Sequence, residues 1–191
     1  MVSLTFDEIL SKVKGKTLLT EEKLYFIYQS ALQTKEVIGD IAEVGVFRGG
    51  SAFLIHEVLP SKDLYLFDTF TGIPERTQID KHEKGDFSDT SPEVVKALIP
   101  AATILIGKFP ETAIVLSNNI YSFVHIDADQ YQTTVEAIKY FDSKMAKDGI
   151  IVFDDYGWYN CPGVKKAVDA FYGDRIETHP NKMVSQCRIN Y

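Results

Sequence analysis

Ile41-Ala42-Glu43-Val44-Gly45-Val46-Phe47-Arg48-Gly49-Gly50-Ser51 reads as a buried strand, Ile41 to Phe47, that enters a glycine-rich turn and then a helix, Ser51 to Leu59. Glycines at that junction let the backbone approach a ligand closely, and the free amides of a helix start favour an anionic group such as a carboxylate. The spacing is not G-x-G-x-x-G, which argues against a dinucleotide site. A tight turn without a ligand is the equally weighted alternative.

Working outward, short apolar runs alternate with amphipathic stretches, the pattern of parallel strands joined by crossover helices. The further strands are expected at Leu64 to Phe70, Thr103 to Gly107, Tyr121 to Asp127 and Gly149 to Asp154, near-continuous in hydrophobicity and therefore covered on both faces. Helices are expected from Ser91-Pro92-Glu93 to Ile99, from Pro110 toward Leu116, at Thr133 to Met145 and at Val164 to Phe171. Two helices, Phe6 to Val13 and Glu21 to Lys35, precede the first strand, the second started by Thr20. The tail, Arg175 to His179 and Met183 to Tyr191, reads as two strands. Glu75 to Thr90 is the longest irregular stretch, a length typical of lids and binding loops.

A chain of 191 residues with 45% hydrophobic content is sized for one compact domain, divided here into an N-terminal helical cap, 1–36, and a main unit, 37–191. The net charge of -7 and the lack of a basic run exclude nucleic acid and anionic membrane as expected partners. Met1 to Glu8 has neither the basic nor the apolar part of a signal peptide, so a soluble cytoplasmic protein is expected. Cys161 and Cys187 lack metal-binding spacing and point neither to a disulfide framework nor to zinc.

Chemistry-bearing residues gather at the ends of the predicted strands. Asp68, about 20 residues beyond the glycine turn, is placed to accept hydrogen bonds from ribose hydroxyls, with a turn or cap role as the alternative. His125-Ile126-Asp127-Ala128-Asp129 and Asp154-Asp155 form two acidic clusters, costly to desolvate unless a cation compensates. Asp127 and Asp129 share a face if the extended chain persists through Ala128; Asp154 and Asp155 converge only if the strand ends or twists there. Hard oxygen donors without His or Cys suit Mg²⁺, Mn²⁺ or Ca²⁺. The alternatives are a solvated loop at Asp154-Asp155 and a helix cap at Asp129. His125 reads as a packed strand residue. His82 reads as exposed in the long loop, with a second role as candidate base, and Tyr156, Trp158 and Tyr159 read as an aromatic wall or as ordinary packing.

The combination resembles class I S-adenosylmethionine-dependent methyltransferases. Glu43 to Ser51, Gly107-Lys108-Phe109-Pro110-Glu111-Thr112, His125 to Asp129 and Phe153-Asp154-Asp155-Tyr156, in that order, are similar to the macrocin-type sugar O-methyltransferases over about Val37 to Tyr172. The resemblance implies an α/β Rossmann-like fold: a seven-stranded, mostly parallel sheet with the last strand antiparallel and helices on both faces. It further implies that Glu43, Gly45 and Ser51 line the methionine part of the cofactor, Asp68 the ribose and Gly107 the adenine, with Gly50, Thr69 and Asp127 also in the cofactor-binding set. Asp127, Asp154 and Asp155 become the metal ligands and Asp129 the general base. Lys108 departs from the family pattern, which has an acidic or neutral residue there.

The implied activity is S-adenosylmethionine- and divalent-metal-dependent O-methylation of a sugar or other vicinal diol in a small molecule, by a chain that forms a homodimer by analogy. A catechol-like phenol is the variant acceptor. Catechol O-methyltransferases use a Lys beyond the first acidic ligand, whereas Asp127 here is followed by Ala128, Asp129, Gln130 and Tyr131. The rivals are a nicotinamide-dependent oxidoreductase and a non-catalytic cofactor-binding subunit.

Overall fold

Strands apolar on both faces need cover on both sides, and the chain provides it. The computed structural model describes residues 4–191, so the reading of Met1, Val2 and Ser3 lies outside the described residues. Helices α1 (Phe6–Val13) and α2 (Glu21–Gln33) lead into strand β1 (Asp40–Val44), α3 (Gly50–Val58), β2 (Leu64–Asp68), α4 (Pro92–Leu98), β3 (Thr103–Ile106) and β4 (Tyr121–Ile126). The chain continues through α5 (Tyr131–Phe141), β5 (Met145–Asp154), α6 (Pro162–Tyr172), β6 (Glu177–Thr178) and β7 (Gln186–Asn190). The seven strands form one sheet in the order β3-β2-β1-β4-β5-β7-β6. Pairing is parallel from β3 to β5, and β7 runs antiparallel to both of its neighbours, as the family resemblance implied.

Alternation along the strands builds two cores. Ile41, Leu66, Phe123, Ile150 and Val152 pack with α1, α2 and α3, while Ala42, Val44, Val124, Ile151 and Phe153 pack with α5 and α6. The strand order reverses between β1 and β4, and in such sheets ligands bind beyond the carboxyl ends of the strands at the reversal. Glu43 and His125 are register partners at that point, and both are buried. Glu43 Oε1 and His125 Nδ1 lie 2.7 Å apart, which ties the two strand ends together.

The strands end earlier than their apolar runs. β1 stops at Val44 rather than Phe47 because Gly45 takes φ +84°, and β4 stops at Ile126 rather than Asp127. Conversely, α5 ends at Phe141, and Met145, expected in that helix, opens β5. Pro110 is followed by a 3₁₀ helix, Glu111–Leu116, and the tail strands are shorter than the apolar runs that marked them.

Gly45 abuts the backbone of Asp127, and a Cβ added there would run into the Asp127 carbonyl oxygen. Gly85, at φ +89°, has open space around it. Gly85→Ala is therefore expected to cost only the left-handed backbone term, about 1–2 kcal/mol. Gly45→Ala adds the collision and is expected to cost about 3 kcal/mol or more in denaturant unfolding; equal losses would show that the β1–β4 approach is not constrained.

Candidate functional site

A cavity of about 580 Å³ opens at the carboxyl ends of β1, β2, β4 and β5, within the range of small-molecule sites. One end is built by the glycine turn. Thr20 caps α2, Gly49 at φ +82° starts α3, and the Gly50 amide donates to the Lys16 carbonyl at 3.0 Å, so the α1–α2 connection packs over the turn. Asp68 organises the same end. Its Oδ2 accepts from the Val46 and Phe47 amides at 2.7 and 2.9 Å, and its Oδ1 accepts from Phe70 at 2.8 Å. Asp68 thus makes the turn contacts weighed as its alternative role, and its half-buried carboxylate also lines the cavity, where the favoured ribose role would need it.

Gly45, Ser51, Thr69, Gly107 and Asp127 line that cavity too. Glu43 and Gly50 stand behind the wall: Glu43 faces His125, and a Cβ on Gly50 would meet Thr17 and the Lys16 carbonyl. Of Tyr156, Trp158 and Tyr159, only Trp158 lines the cavity. Tyr156 donates to Asp169 at 2.7 Å, and Tyr159 is 71% exposed.

The other end is acidic. Oxygen atoms of Asp127, Asp154 and Asp155 lie within 4.8 Å of one another. The extended chain does not persist through Ala128, since Asp129 takes φ +58°. Asp155 takes φ +56° one residue past β5, and this left-handed step brings two adjacent carboxylates to one cluster. Such backbone costs of order 1–3 kcal/mol and persists where the surroundings enforce it.

Lys23, in the first turn of α2, reaches into this cluster. Its Nζ donates to Asp154 Oδ2 at 2.6 Å and to Asp155 Oδ1 at 2.8 Å, and it lies 5.5 Å from the Trp158 ring centre. Asp154 Oδ1 is buried and has no partner among the described residues. An all-oxygen donor set, an orphaned carboxylate oxygen and an ammonium already drawn in fit a hard divalent cation.

Burial, then the negative charge of Asp129, raises Asp127 well above the usual carboxylate range. Burial with Asp155 does the same for Asp129, and burial with Asp127 does so for Asp154. Burial also works against the Asp155 charge, but Lys23 together with hydrogen bonds from Asp129, Lys23 and Asp154 brings it below its ordinary value. Desolvation opposes the Lys23 ammonium, and the Asp154 and Asp155 carboxylates outweigh it, so the lysine holds its proton more tightly than usual.

Asp129 faces a different pair. Cys161, fully buried, donates its thiol to Asp129 Oδ1 at 3.4 Å and to Asp155 Oδ2 at 3.3 Å. His82 Nε2 lies 4.0 Å from Asp129 Oδ1. The expectation that His82 is exposed is corrected: its side chain is 17% exposed, because Phe87 and Trp158 pack against the ring. Sequence reasoning missed Lys23 and Cys161 altogether. The Thr20 cap, which sets Lys23 in a first turn, was the one available signal for either.

A family described as Macrocin-O-methyltransferase (TylF) matches residues 15–190. A demethyldecarbamoylnovobiocin O-methyltransferase of Streptomyces niveus is 26% identical over 155 residues, 71% of this chain and 58% of the relative. An 8-demethyl-8-(2,3-dimethoxy-alpha-L-rhamnosyl)-tetracenomycin-C 4'-O-methyltransferase of Streptomyces olivaceus is 26% identical over 145 residues, 65% of this chain and 56% of the relative. The chain thus spans somewhat more than half the length of these relatives. The solved O-methyltransferase NovP shares the fold with a TM-score of 0.79 at 22% identity, over 92% of this chain and 81% of its own.

Lys23→Met strips the cluster of its ammonium and is expected to cost about 3–5 kcal/mol at neutral pH, the price of leaving buried charges unpaired. Asp127, Asp129 and Asp154 have folded pKa values above their unfolded ones, so the folded chain retains protons that the unfolded chain has released. Stability contributed by these groups therefore falls as pH rises out of the ordinary carboxylate range. The Lys23→Met deficit should shrink as pH is lowered, read by urea unfolding across a pH series; a constant deficit would leave Lys23 a packing role only.

Proposed function

This chain belongs to the macrocin-O-methyltransferase family, and on that premise we propose that it moves a methyl group from S-adenosylmethionine to a hydroxyl of a sugar or another vicinal diol, with a divalent cation such as Mg²⁺ at Asp127, Asp154 and Asp155. The observation that carries this reading is the convergence of those three carboxylates beside Asp129, in the cavity that also reaches Gly45, Asp68 and Gly107. The Streptomyces olivaceus relative is named as a 4'-O-methyltransferase of a rhamnosyl compound, which supports a sugar hydroxyl as acceptor. Among the described residues no helix is long and apolar enough to cross a membrane.

When bound, the donor supplies an electrophilic methyl group and the cation supplies acidification of the acceptor hydroxyl. The chain's own groups do the rest. Gly45 and Ser51 hold the amino-acid part of the donor, Asp68 and Thr69 the ribose, and Gly107 the adenine. Glu43 and Gly50 keep the turn in place from behind. Asp129 takes the hydroxyl proton at Oδ1 or Oδ2. Lys23 cannot serve that role, because two carboxylates hold its proton, and this separates the site from the lysine-based catechol type. Trp158 and the Glu75 to Thr90 loop border the acceptor side, with α1, α2 and their connection as its cap.

Labelled S-adenosylmethionine, a panel of sugars and phenols, and either Mg²⁺ or a chelator test the reading directly. Label should move to a vicinal diol only when the metal is present; donor binding without transfer, or nicotinamide binding in its place, overturns the proposal. Asp129→Asn is expected to keep donor and metal affinity while losing about 10²–10⁴-fold in turnover. Undiminished turnover removes Asp129 as base. Asp154→Ala should raise the metal concentration needed for half-maximal activity, and an unaltered metal response removes Asp154 as ligand.

A further inference from the structure

The geometry points to a second metal site beside the first, selective for a softer ion: His82 Nε2, Asp129 Oδ1 and Cys161 Sγ take zinc or another ion of its class. Each of the three residues offers a donor atom within 4.8 Å of those of the other two. His82 Nε2 stands 4.0 Å from Asp129 Oδ1, and Cys161 Sγ stands 3.4 Å from the same oxygen. A tetrahedral zinc ion with bonds of about 2.0–2.3 Å keeps its ligands roughly 3.5 Å apart, so no pair of donors needs to close by more than about 1.3 Å.

The donor chemistry separates this set from its neighbour. Imidazole, thiolate and carboxylate together suit zinc, whereas Asp127, Asp154 and Asp155 offer only hard oxygens. His82 has the features of a ligand. Its Nε2 is buried without a hydrogen-bond partner among the described residues, and its Nδ1 faces Asp86 Oδ2 at 3.5 Å, the outer carboxylate that orients metal-bound histidines.

Cys161 reads as an inert buried thiol until an ion is considered. Burial, with Asp129 and Asp155 beside it, strongly favours the protonated form. A divalent cation at this position reverses that balance: the S–H proton leaves to solvent as the metal–sulfur bond forms. The carboxylates are then partners of the ion instead of adversaries of the thiolate. Three protein ligands leave a fourth position for water. They come from the long irregular stretch, the β4–α5 turn and the turn before α6, so the ion would clasp the stretch that carries His82 against the cavity. Resting on the reading of Asp129 as base, occupancy takes that carboxylate out of proton transfer, and zinc would inhibit methylation at concentrations where Mg²⁺ supports it.

Cobalt titration of the full chain, with Mg²⁺ in excess to satisfy the oxygen site, tests the site without an activity assay. The expected result is a thiolate-to-cobalt charge-transfer band that saturates at one ion per chain and is bleached by zinc. Cys161→Ser should abolish the band, Cys187→Ser and Asp127→Asn should leave it, and His82→Ala should weaken cobalt binding by at least about 10–100-fold. His82 sits in a loop, so its variant remains informative if Cys161→Ser fails to fold. No band, or a band unmoved by both ligand substitutions, overturns the site. A band alongside normal turnover of Asp129→Asn keeps the site and discards the base; turnover lost in Asp129→Asn with no band does the reverse.

Discussion

Carboxylates withdrawn from water at one edge of a sheet repel one another, and the site is organised around answering that repulsion. Asp127, Asp154 and Asp155 sit where two parallel strands end, with Asp129 next to them. Lys23 supplies the only ammonium hydrogen-bonded to the cluster among the described residues. Because it is delivered by the first turn of α2, the compensation couples the N-terminal helices to the carboxyl end of β5. The acidic cluster thus already holds one cation, supplied by the chain itself, at the place where the divalent ion is proposed. An ammonium has three donors and a single charge, so it leaves Asp154 Oδ1 unanswered.

The glycine-turn end rests on a different device. Asp68 places its carboxylate under the amides of Val46 and Phe47, which fixes the turn that follows β1. Behind the turn, the Glu43–His125 contact holds β1 and β4 together where strand order reverses. A crevice at that reversal keeps its shape only if the two strand ends do not part. Gly45 allows their backbones to approach as closely as they do.

Asp129 and Asp155 share an unusual backbone, each in the left-handed region. Both therefore leave the strand direction and turn their carboxylates sideways into the cavity wall. Asp155 consequently stands between two environments, with Lys23 on one oxygen and Cys161 on the other. Hard and soft donor sets end up adjacent, although no stretch of sequence contains either in full.

The α/β class, the parallel strands and two acidic clusters at strand ends were legible in the sequence, while the antiparallel end of the sheet and the set Asp127, Asp154 and Asp155 followed from the family resemblance. Apolar periodicity and turn chemistry are local, so Val44 to Ser51 and the run before Asp154 declare themselves within a few residues. Strand ends were less legible, because Gly45 and Asp129 leave extended backbone through dihedral choices that hydrophobicity does not record. Tertiary structure alone decided the rest. Lys23 meets Asp154 across 131 residues of chain and Cys161 meets Asp129 across 32, while Glu43, read as a wall residue, turns to His125 instead. A side chain's local pattern announces the element it belongs to, but its partner depends on how those elements cross, and that is settled only when the whole sheet and its helices have packed.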